Sequence, residues 1–89
     1  MLAKIDVIIP CYNAALTLPR AIESVLAQDF LSTLWLIDDA STDGTLAIAN
    51  AFAEQYPDRI KVESMPKNGG VAKARNWGTL QSNNEFIAF

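Results

Sequence analysis

Histidine is absent from this chain, and cysteine occurs once, at position 11. Without imidazole there is no Ser-His-Asp relay and no His-based zinc site, and one thiol cannot close an internal disulfide. A reducing compartment fits that lone thiol, so the expected location is the cytoplasm, including the inner face of a membrane. Lys and Arg number seven against ten Asp and Glu, lie scattered, and leave a net charge of −3. The massed positive charge of a nucleic-acid-binding face is missing, so no nucleic-acid partner is expected. Long hydrophobic runs are missing too: the first residues reach Lys4 and Asp6 after too short an apolar core for a signal peptide, and no stretch approaches the ~20 apolar residues of a membrane span. Gly and Pro, four of each, punctuate turns rather than form a linker, and there is no internal repeat or low-complexity segment.

What remains is a globular composition, 51% hydrophobic and 19% charged over 89 residues. Such a chain folds as one small domain or as part of a larger one, with a thin core that hides about 60–65% of its unfolded surface. Residues 5–10, IDVIIP, have the β-branched character of a parallel strand covered on both faces, and Pro10 is expected to end it by removing a ladder donor. From Thr17, a possible cap, Leu18, Ala21, Ile22, Val25 and Leu26 recur at helical spacing to about Gln28, with Pro19 tolerated in the first turn. Residues 34–38 read as a second strand. Leu46, Ala49, Phe52, Ala53 and Tyr56 form the inner stripe of a second helix that Pro57 terminates. Residues 59–65 make a shorter third strand, the PKNGG cluster at 66–70 a turn, residues 71–81 a third helix weakened by Gly78, and residues 85–89 a fourth strand. The order βαβαβαβ predicts an α/β fold, a Rossmann-like half-sheet of mainly parallel strands flanked by helices.

Within that order the segment LIDDASTDGT, residues 36–45, is the most informative. An apolar strand ends in two carboxylates, followed by turn and cap chemistry. In open α/β sheets ligands bind outside the carboxyl ends of the strands, so acidic groups there are expected to face a ligand rather than a core. Adjacent residues of an extended strand point to opposite sides, so only one of Asp38 and Asp39 can face a given group directly. Taken alone, the pair serves equally to begin the turn and cap the next helix.

Three segments together resemble the family 2 glycosyltransferases, sugar-nucleotide enzymes with the GT-A fold: VIIPCYN at 7–13, LIDDASTDGT at 36–45 and NGGVAKARNWG at 68–78, in that family's order and spacing. The first helix, TLPRAIESVLAQDF, is also similar, so the resemblance spans essentially all 89 residues. It implies that this segment is the donor-nucleotide-binding part of an inverting transferase that moves a sugar from a nucleotide-diphosphate sugar, foremost a UDP-sugar, to an acceptor such as a saccharide or lipid-linked glycan. Asp39 would accept a hydrogen bond from a ring N–H of the base, with Asp38 orienting the loop or standing near the diphosphate. Tyr12 would stack on the base, Pro10 and Asn13 would shape the backbone that approaches the nucleotide, and Arg75, with Lys73 as a weaker candidate, would reach the base or diphosphate. The family pattern continues, after a strand like EFIAF, with a DxD-type aspartate pair that holds a divalent metal. Mg or Mn is therefore expected, with its ligands, the acceptor half and the catalytic base all beyond Phe89, and the 89 residues alone are expected to be inactive.

Simpler readings stand beside these. Tyr12 can pack under the first helix, Arg75 can lie on a solvated face, Asn68 to Gly70 can be an ordinary turn, and Trp35 and Trp77 read as packing aromatics. Cys11 reads as a small buried apolar group. Asp39, Ser41, Asp43 and Gly44 match the first positions of a calcium loop, but its twelfth position holds Asn50 where a bidentate Glu is needed. A dinucleotide-binding domain lacks its GxGxxG in PCYNAALTL, and a receiver domain would carry its acidic pair on the first strand. A nucleotide-binding module without catalysis is the main alternative. Asn83 and Asn84 fit the bend before the last strand, whose Phe86, Ile87 and Phe89 would leave an apolar edge prone to self-association.

Overall fold

A β-branched, apolar first strand takes the middle of a parallel sheet, where both faces are covered. The computed structural model describes residues 4–82 and 84 and the backbone of 87–88. They form β1 (Ile5–Cys11), α1 (Leu18–Leu26), β2 (Leu31–Asp38), α2 (Thr45–Gln55), β3 (Ile60–Ser64), α3 (Val71–Gln81) and β4 (Ile87–Ala88). All pairings are parallel, and the strand order is β3-β2-β1-β4. The expected α/β half-sheet is what the chain builds. Of the expected fourth strand, residues 85, 86 and 89 lie outside the described residues, as do Asn83 and the side chains proposed for the apolar edge.

The period-two alternation divides the core between two faces. Val7 and Cys11 of β1 and Leu34 and Leu36 of β2 pack with Leu18, Ile22, Ala49 and Ile60 beneath α1 and α2. Ile8 and Ile37 pack with Ala74 of α3 on the other face. Each fully buried Ile or Leu contributes on the order of 1.5–3 kcal/mol, so both layers are needed by so small a domain.

Several local expectations are corrected. Pro10 does not end β1: it pairs with Ile37, and the strand runs on to Cys11. The Cys11 carbonyl accepts the Asp39 N–H at 2.8 Å, so position 11 faces β2 and position 10 faces away from it. The missing donor therefore falls on the side of β4, whose pairing with β1 involves Asp6 and Val7. Thr17 occupies the N-cap position of α1 without capping it; its hydroxyl donates to the Ala14 carbonyl at 3.4 Å. In α2 the inner stripe takes Thr45 and Ile48 with Ala49, Phe52, Ala53 and Tyr56, and Leu46 lies at its flank. Trp35 packs on the Ile8 layer as expected, but Trp77 is exposed, because α3 meets the sheet through its small residues Ala74 and Gly78.

One buried group went unread in the sequence. Asp6 accepts hydrogen bonds from Trp35 Nε1 at 3.0 Å, from the Ser82 hydroxyl, and from Asn84 Nδ2 at 3.3 Å. This cluster fastens the end of α3 to the amino end of β1 and to Trp35 in the middle of β2, away from the strand ends described next.

Candidate functional site

The carboxyl ends of β1, β2 and β3 are drawn together by backbone bonds that run past the strands. The Asp39 N–H reaches the Cys11 carbonyl, and the Met65 N–H reaches the Asp38 carbonyl, each at 2.8 Å. The chain then turns sharply at Ala40 (φ 59°) and, on the neighbouring loop, at Asn13 (φ 47°). Both are in the left-handed region, which costs a residue with a Cβ unless its surroundings hold it there.

Those surroundings are a lattice of loop hydrogen bonds. The Asn13 N–H donates to Ser41 Oγ at 3.0 Å, and Asn13 Oδ1 accepts from the Thr42 N–H at 2.8 Å. The Ala14 N–H donates to the buried Thr45 hydroxyl at 2.8 Å, and the Ala15 N–H to Asp43 Oδ2 at 3.3 Å. Asp43 Oδ1 in turn accepts the Thr45 N–H at 2.9 Å and the Thr45 hydroxyl in a short bond. The Thr45 hydroxyl, then the Thr45 N–H, hold the Asp43 carboxyl below the usual carboxylate range.

Asp38 and Asp39 do face opposite sides, and neither lies open. They are 2% and 3% exposed, and backbone donors reach both. Asp39 turns toward α3, where Oδ1 accepts the Gly69 N–H at 2.8 Å and Oδ2 the Gly70 N–H at 2.9 Å. Each carboxylate oxygen has two lone pairs, so Asp39 keeps acceptor capacity beyond these bonds. Asp38 turns toward the α1 and α2 face. Its Oδ2 accepts the Ser41 N–H at 3.1 Å, while its buried Oδ1 has no hydrogen-bond partner among the described residues. A buried acceptor without a donor is costly and marks a place for a water or ligand group. Cys11, on the same face, is pushed up from 9.0 to about 12, first by burial and then by the Asp38 charge. It is a neutral thiol, not a nucleophile.

Tyr12, Asn13, Asp38 and Asp39 thus meet at adjoining strand ends. The Tyr12 ring is half-exposed rather than packed under α1. Pro10 lies just below, half-buried in the sheet. Lys73 joins this group through its stem, which lies over Gly69: a Cβ on Gly69 would stand 2.7 Å from Lys73 Cδ. Arg75 follows on the exposed side of α3, its carbonyl accepting the Thr79 hydroxyl at 2.9 Å. The sequence reading missed the Gly69 and Gly70 amides as partners of Asp39, and Ser41, Thr42 and Thr45 as the groups that shape the Asn13 loop. The available signals were a glycine pair before a helix and the density of hydroxyl and amide side chains around the DD pair. Among the described residues no three Asp, Glu or Cys side chains converge on a metal position.

A sequence model of Glycosyl transferase family 2 matches residues 6–89. The chain belongs to that family. Among its relatives, EpsE of Bacillus subtilis is 42% identical over 86 residues, covering 96% of this chain and 31% of EpsE. GlyG, a glycosyltransferase of Streptococcus pneumoniae, is 34% identical over 93% of this chain and 28% of its own length. Two solved structures superpose closely on the chain. The mannosyltransferase PcManGT of Pyrobaculum calidifontis, in complex with GDP-Man and Mn2+, has a TM-score of 0.87 at 26% identity over 98% of this chain and 26% of that one. TarS of Staphylococcus aureus with UDP-GlcNAc has a TM-score of 0.82 at 33% identity over 94% and 25%. The chain therefore has the architecture of the GT-A enzymes over a stretch that spans about a third or less of the relatives it matches.

Proposed function

We propose that this chain is the donor-nucleotide-recognition part of an inverting glycosyltransferase that transfers a sugar from a nucleotide-diphosphate sugar, foremost a UDP-sugar, to a saccharide or lipid-linked acceptor. The observation that carries the reading is the Asp39 carboxylate, buried at the end of β2 between the exposed Tyr12 loop and the Gly69–Gly70 turn, in a family 2 fold. In this reading Asp39 accepts a ring N–H of the base with a remaining lone pair, and the Tyr12 ring covers the base. Pro10 and Asn13 hold the β1 exit in shape, Asp38 orients the 38–41 turn, and Lys73 and Arg75 offer charge to the diphosphate. Like PcManGT, whose structure holds Mn2+ with GDP-Man, the full enzyme would use Mg or Mn, held by residues other than those described here. The general base and acceptor-binding residues would likewise lie outside residues 1–89, and the chain alone would bind without turnover. Its lone buried Cys11 suits the cytoplasm.

The test is titration calorimetry of UDP with Mn2+ against the chain. Asp39→Ala is expected to weaken binding at least tenfold. Equal affinity of the variant and the unaltered chain would remove Asp39 from the site.

A further inference from the structure

Gly70 stands out because its backbone, not its side chain, is placed with care. It has φ 89° and ψ 166°, a conformation reserved for glycine. Space is not the reason for glycine here: a Cβ at position 70 would meet nothing within 4 Å. The conformation has a visible product. It directs the consecutive N–H groups of Gly69 and Gly70 onto the two oxygens of one buried carboxylate, at 2.8 and 2.9 Å. The Gly70 carbonyl also accepts the Ala74 N–H at 3.1 Å, so the same residue opens α3.

We propose that Gly70 is a positioning residue for the proposed nucleotide site: its left-handed backbone locks the α3 entrance to Asp39, and this lock sets where the first turns of α3, with Lys73 and Arg75, stand relative to the strand ends. The proposal rests on the nucleotide-binding reading of the preceding section. Its physical logic is preorganisation. The two charge-assisted bonds orient the Asp39 carboxylate before any ligand arrives, so that its remaining lone pairs point in a fixed direction. They also hold the loop over which the Lys73 stem folds. A Cβ at position 70 leaves every side chain in place and removes only the backbone conformation, which separates positioning from contact.

Two measurements on the 89-residue chain test it. In amide hydrogen exchange the Gly69 and Gly70 N–H groups are expected to be protected together. That protection should persist in Asp38→Asn and vanish in both Asp39→Asn and Gly70→Ala. In calorimetry with UDP and Mn2+, Gly70→Ala is expected to raise Kd at least tenfold. Gly44→Ala, whose φ of −78° is ordinary and whose Cβ has open space, should keep the affinity. If Gly70→Ala binds UDP as tightly as the unaltered chain, the positioning role is wrong while the nucleotide reading stands. If the unaltered chain binds no UDP although the paired protection is present, the nucleotide reading falls and takes the positioning role with it. If the two amides exchange freely, the lock itself is refuted whatever the binding shows.

Discussion

Replacing Gly78 with alanine sets two effects of known sign against each other. On propensity alone the change is favourable, because alanine in a helix interior is better than glycine by about 1 kcal/mol. The packing says the reverse. A Cβ at position 78 would stand 2.5 Å from Ile8 Cγ2 and 3.2 Å from both Ile8 Cδ1 and Ile37 Cγ1. Ordinary carbon contacts are about 3.5–4.0 Å, so the nearest atom must retreat by roughly 1 Å. Ile8 and Ile37 are both 0% exposed and sit at the centre of the sheet, which leaves lifting α3 as the main relief. Lifting it unpacks Ala74 and loosens the Asp6 cluster at Ser82. Overpacking of this kind costs about 1–3 kcal/mol and is the larger effect at a buried helix-to-sheet contact. Gly78→Ala is therefore expected to destabilise the chain by a net of up to ~2 kcal/mol.

Urea unfolding followed by tryptophan fluorescence checks this, since Trp35 packs on the same Ile8 and Ile37 layer. The midpoint should fall with the slope unchanged. Gly69→Ala is the informative contrast. Its Cβ would approach Lys73 Cδ at 2.7 Å, nearly as close, but that atom belongs to a flexible, exposed stem that can swing into solvent. Its cost should stay within about 0.5 kcal/mol. A Gly78→Ala chain as stable as the unaltered one, or more so, would refute the reasoning by showing that α3 has room to move.

Two further outcomes follow from the titrating groups. Cys11, held protonated to about 12 from an ordinary 9.0, should resist iodoacetamide at pH 8 in the folded chain and react on unfolding. Between pH 9 and 12 the unfolded thiol has lost its proton and the folded one has not. Stability must therefore fall as pH rises through that window, by about 1.4 kcal/mol from pH 8 to 10 relative to Cys11→Ala; equal pH dependence of the two chains would contradict it. Asp43 has the opposite sign. Its carboxyl is lowered from 3.8 by the Thr45 hydroxyl and N–H, so its contribution is present above that value and lost as pH falls through the lower folded one. Asp43→Asn should remove that acid-side loss in urea midpoints measured from pH 5 down to pH 2, and a variant with the same acid profile would count against the Thr45 tie.

The alternation of strands and helices was legible because each signal is local. Ile5, Val7, Ile8 and Ile9 make a β-branched apolar run, and Leu18, Ile22 and Val25 repeat at helical spacing, whatever the rest of the chain does. The errors arose where a distant partner decides. Pro10 reads as a strand end until the side of its missing donor is known, and that depends on which strand lies next to β1. Gly78 reads as a weak point of α3 until Ile8, 70 residues earlier, is seen against it. Asp6 reads as an ordinary polar position because its partners Trp35, Ser82 and Asn84 belong to three other segments. The DD pair shows the same division. Opposite orientation follows from strand geometry alone, whereas the burial of both carboxylates follows from loops that the sequence does not align with them.

That burial changes what the two aspartates can do for each other. They are adjacent in sequence and nearly equal in exposure, yet Asp39 receives two backbone donors and Asp38 one. Asp39 is thus set by partners on α3 and is oriented before a ligand comes. Asp38 retains an unpartnered oxygen on the face shared with Cys11 and the 38–41 turn. A neutral amide at position 39 would turn an N–H₂ against one of two backbone N–H groups, whereas at position 38 it can place that N–H₂ on the oxygen site that lacks a donor and keep its carbonyl for Ser41. The two isosteric substitutions should therefore differ, Asp39→Asn disturbing the α3 entrance and Asp38→Asn leaving the loops in place. The asymmetry arises because one strand end serves two loops from opposite faces of the sheet.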